Sequence, residues 1–133
     1  MTVSAHAKLA GKLAGGVELV GAGGIVEELR AVKDGDEVAA MRAATQLADE
    51  VYELLRDRGL AGRVERDVAL EIETEMRRRG ASGPSFPPIV AAGAHGALPH
   101  AEPRDVEIPA DTLVVLDFVA TLDGYCSDCT RTF

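Results

Sequence analysis

The stretch Leu116-Asp117-Phe118-Val119-Ala120-Thr121-Leu122-Asp123-Gly124-Tyr125-Cys126-Ser127-Asp128 reads as a β-hairpin, two strand-like runs around the turn signal Asp123-Gly124. With Leu122-Asp123 as a two-residue loop, Asp117 and Asp128 stand directly opposite each other, their Cβ atoms about 4.5–5.5 Å apart on one face. Like charges so placed repel each other. A hard divalent cation, which takes carboxylate oxygens as ligands, turns that repulsion into attraction. The spacing makes Asp117 and Asp128 candidate metal ligands. Two other readings stay open: strand-end carboxylates are often simply solvated, and a three-residue loop with Gly124 in the left-handed conformation sends the aspartates to opposite faces.

Outward from the hairpin, Pro109-Ala110-Asp111 is a turn before an apolar strand over residues 113–118. Upstream, residues 85–91 read as a strand that begins at an edge or bulge, because Pro87 and Pro88 remove two ladder donors. The loop 93–103 holds two of the three histidines. His100, in a Gly- and Pro-rich setting, is either a solvated residue or an imidazole that binds substrate or steers a proton. His95 sits among small residues and is expected at the surface; His6 lies in a frayed terminus. Phe86 most simply packs in a core, with a pocket wall as the functional alternative.

Two helices precede these strands. Asp34 is a good N-cap for a helix on which Val38, Met41, Thr45, Ala48, Tyr52 and Leu55 recur at helical spacing until Gly59. A second helix over 65–79 buries Val68, Ile72 and Met76 and stops at Gly80. The stretch to Gly24 carries a short helical pattern around Ala7 to Ala14, and residues 25–33 form a short helix. Helices followed by a hairpin define an α+β fold, two helices packed on an antiparallel sheet.

The 133 residues amount to one domain, and Thr130-Arg131-Thr132-Phe133 still reads as strand, so a cut chain is expected. Net charge −8 and a pI near 4.8 argue against nucleic acid, and no apolar tract is long enough for a membrane span. The one basic cluster, Arg77-Arg78-Arg79, ends a helix, where cations complement the dipole. With no basic-then-apolar leader, a cytoplasmic setting with free thiols is expected. Cys126-Ser127-Asp128-Cys129 lies in a strand pattern that points residues three apart to opposite faces, unsuited to redox or zinc chemistry.

Gly83-Pro84-Ser85-Phe86, Ile89-Val90-Ala91-Ala92-Gly93, Ala97-Leu98-Pro99-His100-Ala101, Val115-Leu116-Asp117-Phe118 and the run from Asp123-Gly124 through Ser127-Asp128 to Phe133 occur in order and without a large gap. Together they resemble the Xaa-Pro peptidases, the prolidase and aminopeptidase P group of the pita-bread metallopeptidases. The resemblance implies the N-terminal half of a pita-bread catalytic domain over residues 25–133, truncated at its C-terminus, with residues 1–24 a linker or remnant of a preceding domain. It implies two divalent ions, manganese or cobalt, that activate water against the peptide bond before proline. Asp117 and Asp128 stand at the first two ligand positions, His100 at a catalytic and substrate-binding position, and Phe86 at an apolar contact for the substrate ring. It further implies a proline-containing peptide as substrate and a homodimer in the full-length form. Where methionine aminopeptidases usually have His-Gly-Asp, this chain has Cys126-Ser127-Asp128, which favours proline specificity. Val119 replaces a usual glycine, and the remaining ligands, one histidine and two glutamates, belong to a second half beyond Phe133. A chain inactive by itself is expected, and a non-catalytic binding module is the alternative.

Overall fold

The computed structural model describes residues 1–13 and 15–133, which fall into two compact units, Met1–Lys33 and Asp34–Phe133. The first unit holds α1 (Val3–Ala10), capped by the Thr2 hydroxyl on the Ala5 amide, and α2 (Ile25–Ala31). Neither helix buries a residue. The helix expected around Ala7 to Ala14 is thus Val3–Ala10, and Ala14 lies outside the described residues. Helix α2 belongs to the first unit.

The second unit opens with α3 (Gly35–Arg58). Asp34 accepts hydrogen bonds from the amides of Asp36 and Glu37, and the Glu37 carboxylate accepts from the Asp34 amide, a reciprocal capping box. Its buried face is Ala44, Leu47, Ala48, Val51, Tyr52 and Leu55, whereas Val38, Met41 and Thr45 are exposed. Periodicity locates a helix face, but how far the sheets cover that face depends on strands distant in sequence. Helix α4 (Glu65–Arg78) buries Val68, Ile72 and Met76 as expected, and Gly80 follows at φ 103°. Its terminal arginines are ion-paired, Arg77 to Glu73 and both Arg78 and Arg79 to Glu75.

The strands are β1 (Gly83–Pro84), β2 (Ile89–Ala92), β3 (Val114–Phe118), β4 (Ala120–Leu122), β5 (Tyr125–Cys126) and β6 (Cys129–Thr132). They form two antiparallel sheets, ordered β1-β4-β5 and β2-β3-β6, where a single sheet was expected. The division falls at two places. The prolines before Ile89 separate β1 from β2, and a break at Val119 separates β3 from β4. Both helices pack on these strands, α3 on β4, β5 and β6 and α4 on β1 and β2.

Strand β3 alternates strictly. Val114, Leu116 and Phe118 enter the main core with the apolar faces of α3 and α4, while Val115 and Asp117 are only partly buried on the other side. Tyr52 stacks on Phe118 with ring centroids 4.2 Å apart, and its hydroxyl reaches the Leu116 carbonyl at 3.3 Å and the Cys129 carbonyl of β6. Burial pushes that phenol above its ordinary pKa, which keeps it a donor to the strands. Phe118 is fully buried. Phe118→Ala should destabilise the protein by about 3–5 kcal/mol, read as a lower denaturant midpoint in equilibrium unfolding.

Candidate metal and substrate site

The hairpin turn is Asp123-Gly124, with φ 49° and 82°, the paired positive values of a type I′ turn. Glycine accepts that conformation without strain and Asp more readily than most residues. Leu122 therefore pairs with Tyr125 and Thr121 with Cys126, and beyond the break Phe118 pairs with Cys129 and Asp117 with Thr130. Asp117 does not stand directly opposite Asp128, contrary to the expectation from a Leu122-Asp123 loop. The register differs by two positions, and an even shift preserves the face. Thr130 shares Asp117's face, and Asp128, two residues before Thr130, returns to it.

Both aspartates accordingly line one cleft of about 530 Å³, together with Phe86, Ile89, His100 and Glu102. Asp117 is partly buried and its Oδ1 accepts from the Thr130 hydroxyl at 3.0 Å; Asp128 and His100 are exposed. Phe86 packs against Ile89, Ala91 and Ala101, a small apolar cluster on the opposite side of the sheet from the main core, so it is core and cleft wall at once. Val119 is buried and is not among the cleft-lining residues; its carbonyl accepts from the Ser85 amide at 3.2 Å.

Carboxylate oxygens suit a hard divalent cation in kind. They fall short in number: among the described residues no three His, Cys, Asp or Glu side chains converge to hold a metal ion. The two cysteines are free thiols, Cys126 exposed and Cys129 partly buried.

Sequence reasoning missed two polar residues. Ser127 is 1% exposed; its amide donates to the Ala120 carbonyl at 3.0 Å, and its hydroxyl, not its carbonyl, accepts from the Ala120 amide at 2.9 Å. A side chain here replaces one ladder bond at the point where the strands break, immediately before Asp128. Its only signal was a serine in an otherwise strand-like run. Glu65, the first residue of α4, is 0% exposed and pairs with Arg104 at 2.8 Å. An acidic residue in a first helical turn is common enough to hide it. His95 was expected at the surface, yet its side chain is 12% exposed and its Nδ1 lies 3.6 Å from Glu65. Its small neighbours bury nothing, but they let the turn press down onto β2 and β3.

Burial alone would raise the Glu65 pKa, but hydrogen bonds from Arg104 and from the amides of Ala92 and Arg104 outweigh it and bring it from 4.5 to about 2. A depressed pKa stabilises the fold above the unfolded value and is lost as pH falls through the folded one. The stability advantage of wild type over Glu65→Gln should be full at neutral pH and shrink between pH 4.5 and 2, measured by thermal melts across that range. Ser127→Ala leaves the Ala120 amide without its acceptor and should cost about 1–3 kcal/mol in chemical denaturation, whereas a surface serine such as Ser4 should be neutral.

Residues 39–133 match the model of metallopeptidase family M24. The chain is 41% identical over 115 residues to the uncharacterized peptidase YqhT of Bacillus subtilis, covering 86% of this chain and 33% of that protein. It is 35% identical over 108 residues to the Xaa-Pro dipeptidase of Pyrococcus furiosus, covering 81% and 31% respectively. The solved structure of an Xaa-Pro dipeptidase from Bacillus anthracis superposes with a TM-score of 0.92 at 36% identity, over 100% of this chain and 37% of that one. The chain thus spans about a third of the length of these relatives.

Proposed function

The chain belongs to metallopeptidase family M24 and carries the first part of its pita-bread fold, and from that premise we propose that its cleft is one side of a site that hydrolyses peptide bonds before proline. The observation that carries the reading is the convergence of Asp117, Asp128, His100 and Phe86 on one cavity from three separate stretches of chain. Asp117 on β3 and Asp128 after β5 are the two ligands this chain contributes. When bound, two divalent ions, manganese or cobalt, supply Lewis-acid activation of water. His100 lines the same cleft as the aspartates, where an imidazole can donate to or accept from a substrate amide. Phe86, backed by Ile89 and Ala101, offers an apolar wall for a proline ring, and Pro87, Pro99 and Pro103 extend it.

The chemistry of the donor set supports the reading that this chain by itself is a poor peptidase: two carboxylates leave a hard cation to draw most of its roughly six ligands from water. The shortfall in ligands also favours a second reading, a half-fold kept as a non-catalytic binding module. Metal titration separates them. Manganese added to this chain in a calorimeter should bind weakly, and Asp117→Asn or Asp128→Asn should each weaken binding at least tenfold. A chain extended to the full length of the relatives should bind two equivalents and cleave an Xaa-Pro dipeptide. Absence of metal binding and of cleavage by that extended chain would establish the module instead.

A further inference from the structure

Five of the residues lining the cleft, Pro99, His100, Ala101, Glu102 and Pro103, are consecutive. Residues 101–104 adopt no regular secondary structure, and Pro99 and Pro103 have no amide to donate. What holds this wall in place must act at its ends. At the near end, the 3-10 turn Gly93–Ala97 follows β2 directly. Gly96 seats it there: a Cβ on Gly96 would lie 3.0 Å from Val115 Cγ2 and 3.2 Å from the Ala91 carbonyl oxygen, tight contacts that a larger residue would make only by displacing its neighbours. At the far end, the Arg104 carbonyl accepts from the Arg66 amide at 3.2 Å and the Val106 carbonyl from the Glu65 amide at 3.1 Å, which occupies free amides of the first turn of α4.

One side chain joins the two ends. Glu65 Oε1 accepts from the Ala92 amide at 2.9 Å, and Oε2 accepts from the Arg104 amide at 2.9 Å. The Arg104 guanidinium closes over both oxygens, Nε to Oε2 at 3.0 Å and Nη2 to Oε1 at 2.8 Å. Ala92 ends β2 and Arg104 ends the wall, so a single carboxylate ties the loop at both feet. We propose that Glu65 is a positioning residue: by holding the amides of Ala92 and Arg104 together it sets the conformation of the intervening loop and hence where His100 enters the lining of the cleft. This deepens the reading of the cleft as a peptide site only in the role it gives His100; the clamp itself stands on the hydrogen bonds.

A carboxylate is required because both oxygens accept at once. The amide of Glu65→Gln has the same size, yet it presents an NH₂ to one of two backbone donors and leaves the guanidinium without its counter-charge. Hydrogen exchange on this chain tests the clamp. In Glu65→Gln, the hydrogen-bonded amides of Ala92, Leu98 and Arg104 should exchange at least tenfold faster, with Val51, Leu55 and Leu116 unchanged. The imidazole resonances of His100 should also shift. Glu65→Asp, whose carboxylate is one methylene too short to reach both backbone donors at once, should accelerate the same amides, and it decides the matter should Glu65→Gln fail to fold. Uniform acceleration through α3 and β3, or an unchanged loop in either folded variant, would overturn the proposal. Neither metal nor peptide enters this experiment, so its failure is separate from failure of the metallopeptidase reading.

Discussion

The pairing of β3 with β2 on one side and β6 on the other holds Leu116 and Phe118 against the helices and, by the same alternation, turns Asp117 outward beside Ile89 and Thr130. A strand cannot change one face without the other. Core packing on α3 and α4 therefore sets the register in which Asp117 meets the cleft, and Tyr52, reaching carbonyls of both β3 and β6 from α3, ties that register to the helix layer. The candidate ligand is held by the hydrophobic core behind it.

Around this strand, two irregularities do the aiming. The break at Val119 and at Ser127-Asp128 leaves equal numbers of residues on the two strands, so the hairpin bends without slipping. Ser127 satisfies the amide that the bend would leave unpaired, and Asp128 follows it. The second irregularity is the loop over the cleft, whose ends meet on a fully buried carboxylate. Burying a charge is costly unless it is paired and hydrogen-bonded. Glu65 meets that condition through Arg104 and two backbone amides, and its low pKa is the electrostatic record of how fully it does so.

Membership of the M24 metallopeptidase family gives the two carboxylates on one cleft a context. The cleft is lined by acidic side chains, Asp117, Asp128 and Glu102, and by apolar ones, Phe86 and Ile89, contributed by different stretches, the combination that the proposed peptide site would use. The chain spans about a third of its relatives' length, and the fold it shares with them accounts for the position of the cleft.

Much of the fold was legible in local signals. Asp34 with Glu37, Gly80 after α4, and the Val68, Ile72, Met76 stripe act within a few residues, and short-range sterics and capping determine them. The motifs around Phe86, His100, Asp117 and Asp128 marked the site residues. The turn was visible as Asp123-Gly124, but which two residues occupy its centre depends on the positive φ of both, a geometric requirement that moved the register by two. The division into two sheets, the exposure of Val38 and Met41, and the burial of His95 came from packing between elements far apart in sequence. Glu65 is the clearest case. As a residue it is an ordinary acid at a helix start, and only tertiary structure brings Ala92 and Arg104, 27 and 39 positions away, to its two oxygens. Local sequence determined which elements form and which residues bear the chemistry; long-range contacts decided which of them meet, because burial and hydrogen bonding are properties of neighbours in space.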